Sequence, residues 1–266
     1  MTAKVTFGQT VISSMINSVK NKFSMLPVWL WLLQIMFTSF FSILFFALMV
    51  ESIDSNITVE YVVIGNAVQS VAITTLYAVS DIPGTEKHVG TLPTLMSTPS
   101  SLFSIFLGMA IFNIVSGFLA VGISLCYATF IFGVSFSSAN YLSVIVVMIL
   151  TVLSLAGMGM AIGGIGLRLR TSAIIANVVS YIGLVLCGVN FPISYLPGWL
   201  QSISYCLPLT YAVDATRGAV AGSTVFALWE PISMMIILGL IYAVLSIVLF
   251  SFFEKSAKRS GSYDMF

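Results

Sequence analysis

The feature that most constrains this chain is a series of long apolar segments without formal charge. Residues 28–50 form the first of them, and Trp29 and Trp31 stand near its start, where aromatic side chains are typical of the membrane–water interface. About 20 apolar residues suffice for a helix to cross the hydrocarbon core of a bilayer. Charged residues make up only 7% of the chain, against about a quarter in soluble domains, so the sequence predicts a membrane protein.

Hydropathy predicts an all-α polytopic membrane protein that forms a single domain over residues 1–266. Six transmembrane helices are expected, because the chain has room for about six segments of about 20 residues with short connections. The predicted spans cover residues 28–50, 61–80, 101–133, 141–167, 172–189 and 231–253.

An amphipathic helix is predicted before the first span, within residues 1–27. Ile12 and Val19 recur there at helical spacing, opposite Asn17 and Asn21. A helix with this pattern is suited to lie in the membrane interface, with its lysines toward the lipid headgroups. We therefore expect an N-terminal interfacial helix.

Five polar side chains fall on one face of the second predicted span, namely Asn66, Gln69, Ser70, Thr74 and Tyr77. Polar side chains that face lipid are costly, so this face should contact other helices or a wet cavity. Two interpretations stay open: hydrogen bonding between helices, or lining of a pathway that contacts a transported substrate.

Glycines are frequent in the fourth predicted span, at positions 157, 159, 163, 164 and 166. Their spacing is not a nucleotide-binding fingerprint, because no strand precedes them and no acidic residue follows at the required distance. Close packing of helices is the predicted role.

The stretch of residues 188–222 is apolar and aromatic, yet it cannot form one helix. Pro192, Pro197 and Pro208 interrupt it, because each removes a backbone donor and clashes with the preceding turn. Its pieces are too short to cross a bilayer, and non-helical backbone at membrane depth must be covered by protein or by a water-filled cavity. We expect two short helices and a turn that dip into the membrane from one side.

Asp214 and Arg217 carry the only charges between Arg170 and Glu230. They lie about one helical turn apart. We expect them to pair with each other or with a neighbouring subunit, in a structural salt bridge rather than a substrate contact.

The order of prolines, an aromatic residue and an Asp-x-x-Arg pair in this stretch closely resembles the C-terminal signature of ABC-2 type transporter permeases. The matching runs are Phe191-Pro192, Leu196-Pro197-Gly198-Trp199-Leu200 and residues 208–217. In that family the signature forms re-entrant external helices between the fifth and sixth spans, which the resemblance places at residues 190–222. The residues it assigns to them are Phe191, Pro192, Pro197, Trp199, Pro208, Tyr211, Asp214 and Arg217.

A second segment, residues 84–100, resembles the cytoplasmic coupling helix of the same family, which docks into a groove on the ATPase subunit. The resemblance implies the ATPase-coupling residues Glu86, Lys87, Gly90, Thr91, Leu92, Leu95 and Met96. The segment departs from the family at Pro93, where an acidic residue is common. Because proline is tolerated only in the first turn of a helix, we expect a short lever with Thr91 as its N-cap.

Charge asymmetry predicts that both termini are cytoplasmic. With that orientation nine of the ten Lys and Arg residues lie inside and only Arg217 lies outside, as the positive-inside rule requires. The inside set is Lys4, Lys20, Lys22, Lys87, Arg168, Arg170, Lys255, Lys258 and Arg259. Arg168 and Arg170 form the expected cytoplasmic corner after the fourth span, and we expect a protein of the bacterial plasma membrane.

No catalytic chemistry is expected from this chain. It contains no P-loop, nucleophile elbow or zinc motif, and the predicted spans carry no formal charge that could relay protons. Energy must then come from a partner. The resemblance implies two separate ABC ATPase subunits that bind ATP and Mg, a second permease chain in a homodimer or heterodimer, a surrounding lipid bilayer, and neither cofactor nor nucleic acid on this chain.

The resulting prediction is the membrane-spanning subunit of an ATP-binding cassette exporter. An aromatic lining favours a hydrophobic or amphiphilic substrate, such as a drug, a lipid-like molecule or a peptide; the side chains considered for it are Phe40, Phe41, Phe45, Tyr77, Tyr181 and Phe191. Two alternatives stay open: a permease for lipid-linked polysaccharide, and a non-transporting scaffold half of a heterodimeric complex. A stand-alone channel is disfavoured, since it would need pore-lining charges or a filter-like repeat.

Overall fold

The computed structural model describes residues 6–52, 57–167 and 172–260, except for the side chains of residues 25, 172 and 257–260. All regular structure in these ranges is helical. Lys4 and the expected cytoplasmic corner at Arg168 and Arg170 lie outside the described residues. The helices are α1 (Phe7–Met25), α2 (Val28–Ser52), α3 (Val59–Val71), a π-helical turn (Ala72–Leu76), α4 (Tyr77–Ser80), α5 (Ile82–Val89), α6 (Leu92–Ser97), α7 (Leu102–Phe130), α8 (Tyr141–Gly166), α9 (Ser172–Leu186), a 3₁₀ turn (Ile193–Tyr195), α10 (Gly198–Ser204), α11 (Pro208–Val220) and α12 (Trp229–Ser260).

Five helices of the described chain are long and apolar enough to cross a membrane. They are Val28–Ser52, Val59–Ser80, Leu102–Phe130, Tyr141–Gly166 and Trp229–Ser256. The predicted fifth span is the exception: α9 has 15 residues, or about 22 Å of helix, whereas the hydrocarbon core is about 30 Å thick. Five of the predicted spans are therefore present as helices of sufficient length, and the six-span count stays a prediction.

The span Val59–Ser80, which comprises α3, the π-helical turn and α4, forms the centre of the bundle. All residues from Val62 to Val71 are buried, because α2, α7, α8, α9 and α11 pack around this span. Glycines allow the close approach that this packing needs. A Cβ on Gly159 of α8 would lie 2.9 Å from the carbonyl oxygen of Leu76, which confirms the predicted packing role of the glycines in the fourth span.

Side-chain contacts define two ends of the bundle, which we call the α1 end and the α11 end. At the α1 end, Thr10 and Ser100 share a hydrogen bond of 3.1 Å, and the Glu254 carboxylate accepts a 3.1 Å hydrogen bond from the backbone N–H of Leu102. At the α11 end, the Ser143 hydroxyl donates to the Ser223 carbonyl at 2.8 Å. Each end is thus held together by contacts between segments far apart in sequence.

Short helices begin where the sequence places proline. Pro208 is the first residue of α11, Pro197 is the N-cap of α10, and Pro192 directly precedes the 3₁₀ turn. A proline at the start of a helix loses no intrahelical hydrogen bond, and its fixed φ suits the first turn. The predicted pair of short helices in this stretch is therefore present, whereas their depth in the membrane stays a prediction.

Candidate transport pathway and coupling region

A cavity of about 570 Å³ lies between α2, the central span, α7 and α9; we call it the span cavity. Its volume is in the range of small-molecule sites, about 300–1,000 Å³. Amide and hydroxyl side chains line it from the central span, α7 and α9, namely Gln69, Thr74, Asn113, Ser116, Asn177 and Ser180. From α2 the lining receives Gln34, Thr38 and Ser42 as well as Trp31, Ile35, Phe45 and Phe46, and Ile73 and Leu184 add further apolar side chains.

The predicted polar face of the second span divides between the two interpretations. Asn66 is fully buried and donates to the Asn190 side chain at 2.8 Å, and Ser70 accepts a 2.9 Å hydrogen bond from Ser124 of α7. These two residues bond between elements and do not belong to the lining of the span cavity. Three others, Gln69, Thr74 and Tyr77, do line the span cavity.

Gln69 joins both roles. Its Nε2 donates to the Ser180 carbonyl of α9 at 3.0 Å, while its Oε1 has no hydrogen-bond partner. The residue is only 2% exposed, and an unpaired buried acceptor costs about 1–3 kcal/mol. The Gln69 amide therefore ties the central span to α9, while its oxygen is enclosed by protein.

The π-helical turn Ala72–Leu76 lies in this same wall. Such wide turns are often found at functional sites. Ile73 and Thr74 from the turn line the span cavity, while Thr75 on its other side is buried against α7, and a Cβ on Gly117 of α7 would overlap the Thr75 hydroxyl. Close packing thus fixes one side of the turn, and its opposite side faces the cavity.

A second cavity of about 900 Å³, which we call the vestibule, lies at the α1 end. It is lined by the polar face of α1, by the segment from Tyr77 to Thr85, and by residues of α5, α6 and the start of α7. Lys22, Tyr77, Ala78 and Asn113 line both cavities. The vestibule and the span cavity therefore adjoin each other, and together they form a route from the α1 end into the bundle.

The aromatic lining predicted from composition is only partly present. Phe45, Tyr77 and Tyr181 line the span cavity, whereas Phe41 is 57% exposed on the outer face of α2. Phe40 packs edge-on against Tyr127 of α7. Of the predicted aromatic side chains, Tyr77 of the central span, Tyr181 of α9 and Phe45 of α2 therefore line the span cavity.

The predicted coupling segment contains two short helices, α5 and α6, joined at Gly90. Gly90 has φ 79°, a left-handed conformation that glycine adopts without steric cost. Thr91 is the N-cap of the six-residue helix α6, with Pro93 in its first turn, so the predicted short lever is present. The Thr91 side chain does not cap α6; its hydroxyl instead donates to the Glu86 carboxylate.

Leu92 and Met96 of the coupling segment point inward, whereas Val89 is exposed. Leu92 is 3% and Met96 6% exposed, and both pack in a cluster with Leu102 and Phe106 of α7 and Phe250 of α12. In the described chain they therefore anchor α6 to the spans and are not presented to a partner. The exposed surface of the segment consists mainly of Thr85, His88, Val89, Gly90, Pro93 and Thr94.

Lys87 connects the coupling segment to the fourth span. Its ammonium donates to the carbonyl oxygens of Gly166 at 3.0 Å and Leu167 at 2.7 Å, where α8 ends. A cation is favoured at this position because the C-terminus of a helix carries partial negative charge. Burial lowers the pKa of Lys87. Lys87, which was predicted to contact the ATPase, thus bonds within the chain and links α5 to α8.

Lys87→Met should loosen α5 from the end of α8. Hydrogen bonds to a charged group contribute about 1.5–3 kcal/mol, so amide exchange in residues 82–97 should accelerate about tenfold or more. Hydrogen-exchange mass spectrometry on the purified chain measures this change. Lys20→Met, which removes an exposed charge of α1, is the matched control, and equal exchange in both variants would contradict the proposed link.

At the α11 end, polar groups bind the carbonyls that follow α9. The Arg217 guanidinium donates to the oxygens of Gly188 at 2.8 Å and Val189 at 2.9 Å, and to that of Tyr61 at 2.9 Å. It also stacks on the Tyr61 ring, 3.3 Å from the centroid. Ser204 of α10 donates to the Leu186 carbonyl at 2.8 Å. The carbonyls of Leu186, Gly188 and Val189, at and after the end of α9, therefore accept hydrogen bonds from protein, as non-helical backbone away from water requires.

The expected pairing of Asp214 with Arg217 is wrong within the described chain. Asp214 is exposed on α11, and the guanidinium of Arg217 turns instead to three carbonyl oxygens. Burial lowers the pKa of Arg217 to about 10, so it stays cationic at neutral pH. An arginine has five N–H donors in a fixed fork, which explains why one side chain can bind carbonyls from two segments.

Some residues of the site escape sequence reasoning. Asn177 and Ser180 of α9 line the span cavity, although no motif marks them. Their spacing of three residues places them on one face of a helix, which is the signal that could have indicated them. Phe191, Trp199 and Tyr211, predicted for the external helices, lie outside the lining of both cavities.

Taken together, the apolar helices, the buried central span and the connected cavities define a multi-pass membrane protein with an internal route. A sequence model of the family described as ABC-2 type transporter matches residues 7–221. The chain therefore belongs to the ABC-2 type transporter family, whose members are membrane subunits of transporters.

A further similarity covers only a segment. An uncharacterized protein, YhgE, of Bacillus subtilis (strain 168) is 27% identical over 86 residues, which is 32% of this chain. The match covers 11% of that relative, so the chain aligns with about a tenth of its length. This similarity indicates kinship of a segment and carries no statement about substrate.

Proposed function

We propose that this chain is the membrane subunit of an ATP-driven exporter that moves a hydrophobic or amphiphilic molecule out of the cytoplasm. The observation that carries the proposal is that the vestibule and the span cavity adjoin and share four lining residues. Its lining combines amide and hydroxyl groups with aromatic rings, which suits a molecule with both polar and apolar parts. A cavity of about 570 Å³ favours a drug, lipid-like molecule or short peptide over lipid-linked polysaccharide.

Separate ATPase subunits would supply the energy. The basic side chains Lys20, Lys22, Lys87 and Lys255 belong to α1, α5 and the end of α12, which lie toward the α1 end, while Arg217 belongs to the α11 end. This asymmetry supports a cytoplasmic α1 end, where ATP is available. Two ATPase subunits, binding ATP and Mg, would then act on α5 and α6, and a second permease chain, identical or related, would complete the complex.

Movement of α5 would reach the spans through two connections. One is the Asp81 junction between α4 and α5, and the other is the contact of Lys87 with the end of α8. Since α4 is the last part of the central span and α8 packs against it, displacement of α5 would alter the wall that contains the π-helical turn. The proposed coupling therefore ends at the span cavity.

A second candidate is a non-transporting scaffold half of a heterodimeric complex. The burial of Leu92 and Met96 favours it, because Val89 is then the one large apolar side chain exposed in the described coupling segment. The two candidates differ in one respect that can be measured: only a transporting subunit needs its span cavity open.

Affinity purification of the full chain from its native cells, followed by ATPase and vesicle-transport assays, tests the proposal. We expect a co-purifying ATP-hydrolysing subunit and ATP-dependent uptake of an amphiphilic dye into inverted vesicles. Asn177→Trp should abolish uptake by filling the span cavity, whereas Val178→Trp, at an exposed neighbour outside its lining, should preserve it.

Three results would contradict the transport proposal. They are purification without any nucleotide hydrolase, vectorial flux by the lone chain in liposomes, and equal uptake by the Asn177→Trp and Val178→Trp variants. If both variants keep uptake and the ATPase subunit still assembles with the chain, the scaffold candidate is favoured.

A further inference from the structure

The charges along the route are unevenly distributed between its two cavities. The described lining of the span cavity contains a single charged side chain, Lys22, at the junction with the vestibule. The described lining of the vestibule adds two carboxylates, Asp81 and Glu86. A molecule that occupies both cavities would therefore place an uncharged part in the span cavity and meet a net negative lining in the vestibule.

Asp81 is the carboxylate closest in sequence to the junction. Tyr77 and Ala78 line both cavities, and Asp81 follows them by about one helical turn, which is about 5.4 Å along the axis. It is half-buried and accepts a 3.3 Å hydrogen bond from the Thr85 hydroxyl. Burial raises the pKa of this carboxyl. A cation beside Asp81 would compensate for the water that the carboxylate lacks.

The second carboxylate is engaged within the coupling segment. Glu86 accepts from the Thr91 hydroxyl, so its charge contributes to the vestibule from a fixed position. Lys22 opposes both carboxylates, but it is exposed on α1 and its long side chain is free to rotate toward water. Asp81 is thus the best-placed group for a charged end of a ligand.

The span cavity offers the apolar part of such a molecule a matching lining. Trp31, Phe45 and Phe46 face it from α2, and its volume of about 570 Å³ is in the range of small-molecule sites.

We propose that the two cavities bind a cationic amphiphile: the positive end lies at Asp81 in the vestibule, and the apolar body enters the span cavity. Amines with an apolar tail and short basic, hydrophobic peptides belong to this class. The proposal rests on the proposed transport function for its physiological meaning, and it names the substrate class of that function.

A matched pair of fluorescent probes tests the charge preference. Dansylcadaverine carries an ammonium and dansyl-aminohexanoate a carboxylate on the same dansyl group and tether, and each has a sulfonamide N–H donor. The purified full chain in phosphatidylcholine nanodiscs is titrated with each probe, with empty nanodiscs subtracted. Energy transfer from Trp31, which lines the span cavity, reports the bound dansyl group, and Trp31→Phe should remove most of this signal.

We expect the cationic probe to bind about tenfold more tightly than the anionic probe, as a charged hydrogen bond would give. Asp81→Asn should abolish this preference by weakening the cation alone. Asp214→Asn, which neutralises an exposed carboxylate at the α11 end, is the matched control and should leave both affinities unchanged.

Equal or tighter binding of the anionic probe, or equal effects of Asp81→Asn and Asp214→Asn, would overturn the proposal. A thermal melt of each variant guards against misfolding: Asp81→Asn should melt at or above the wild-type temperature, since it removes a charge that burial disfavours. Because binding is measured without any ATPase, its failure leaves the transport proposal standing, and a missing ATPase partner leaves the ligand site standing.

Discussion

Arg217→Met is expected to destabilise the α11 end more than any other single charge removal in the described chain. The substitution keeps an apolar stem but removes donors to the carbonyls of Gly188, Val189 and Tyr61. Each buried acceptor that loses its partner costs about 1–3 kcal/mol. A total loss of about 3–5 kcal/mol corresponds to roughly 10 °C in melting temperature for a chain of this size.

Thermal unfolding of the detergent-purified chain measures the loss, and hydrogen exchange locates it at residues 186–192. Arg217→Lys should recover only part of the stability, because an ammonium cannot reproduce the planar fork of the guanidinium. Asp214→Asn, one turn away on the exposed side of α11, should melt like the wild type. A stable Arg217→Met variant would show that the carbonyls find water or other donors, and would refute the assigned role.

Gly108→Ala should displace α1 from α7. A Cβ at this position would overlap the carbonyl oxygen of Val11 and lie 2.8 Å from the Ser14 Cβ. The obstructing atoms belong largely to the backbone, so no side-chain rotation relieves the overlap. Overpacking of this kind costs about 1–3 kcal/mol, and here the cost falls on the docking of one helix that forms a wall of the vestibule.

Hydrogen exchange of residues 7–25 reads out the displacement, which should raise exchange in α1 while the buried residues of α3 stay protected. Gly122→Ala provides an internal comparison on the same helix, since no atom lies within 4 Å of a Cβ placed there. If both variants exchange alike, α1 is not held by the close approach at Gly108.

Hydropathy alone predicted most of the helical architecture. The apolar lengths are set by the thickness of the bilayer, so the first, second, third, fourth and last spans differ from their predicted limits by only a few residues. Proline had similar predictive value: Pro93 and Pro208 indicate first turns, and α6 and α11 begin there. These signals are local, which is why they can be read from sequence.

The candidate site was predictable only in part, because its decisive contacts join distant segments. Arg217 meets Tyr61 and the carbonyls after α9 through the packing of three elements, and a pairing with Asp214 was the natural expectation from neighbours on one helix. Likewise, helical spacing grouped Asn66 with Gln69 but could not tell which one faces a cavity. Burial of Leu92 and Met96 depends on Phe250 of α12, which lies more than 150 positions further along the chain.

The wide turn at Ala72–Leu76 gives the central span a degree of freedom that a regular α-helix lacks. The turn contains one residue more than a regular α-helical turn. If this extra residue moves by one position along the helix, only the side chain at that position rotates, by about 100°. The half toward the α11 end, bonded through Asn66 to Asn190, and the half toward the α1 end at Asp81 would keep their helical phase. Movement of the turn by one position would rotate Ile73 or Thr74, both of which line the span cavity, so that the polarity of the wall changes without any rigid-body motion of the bundle.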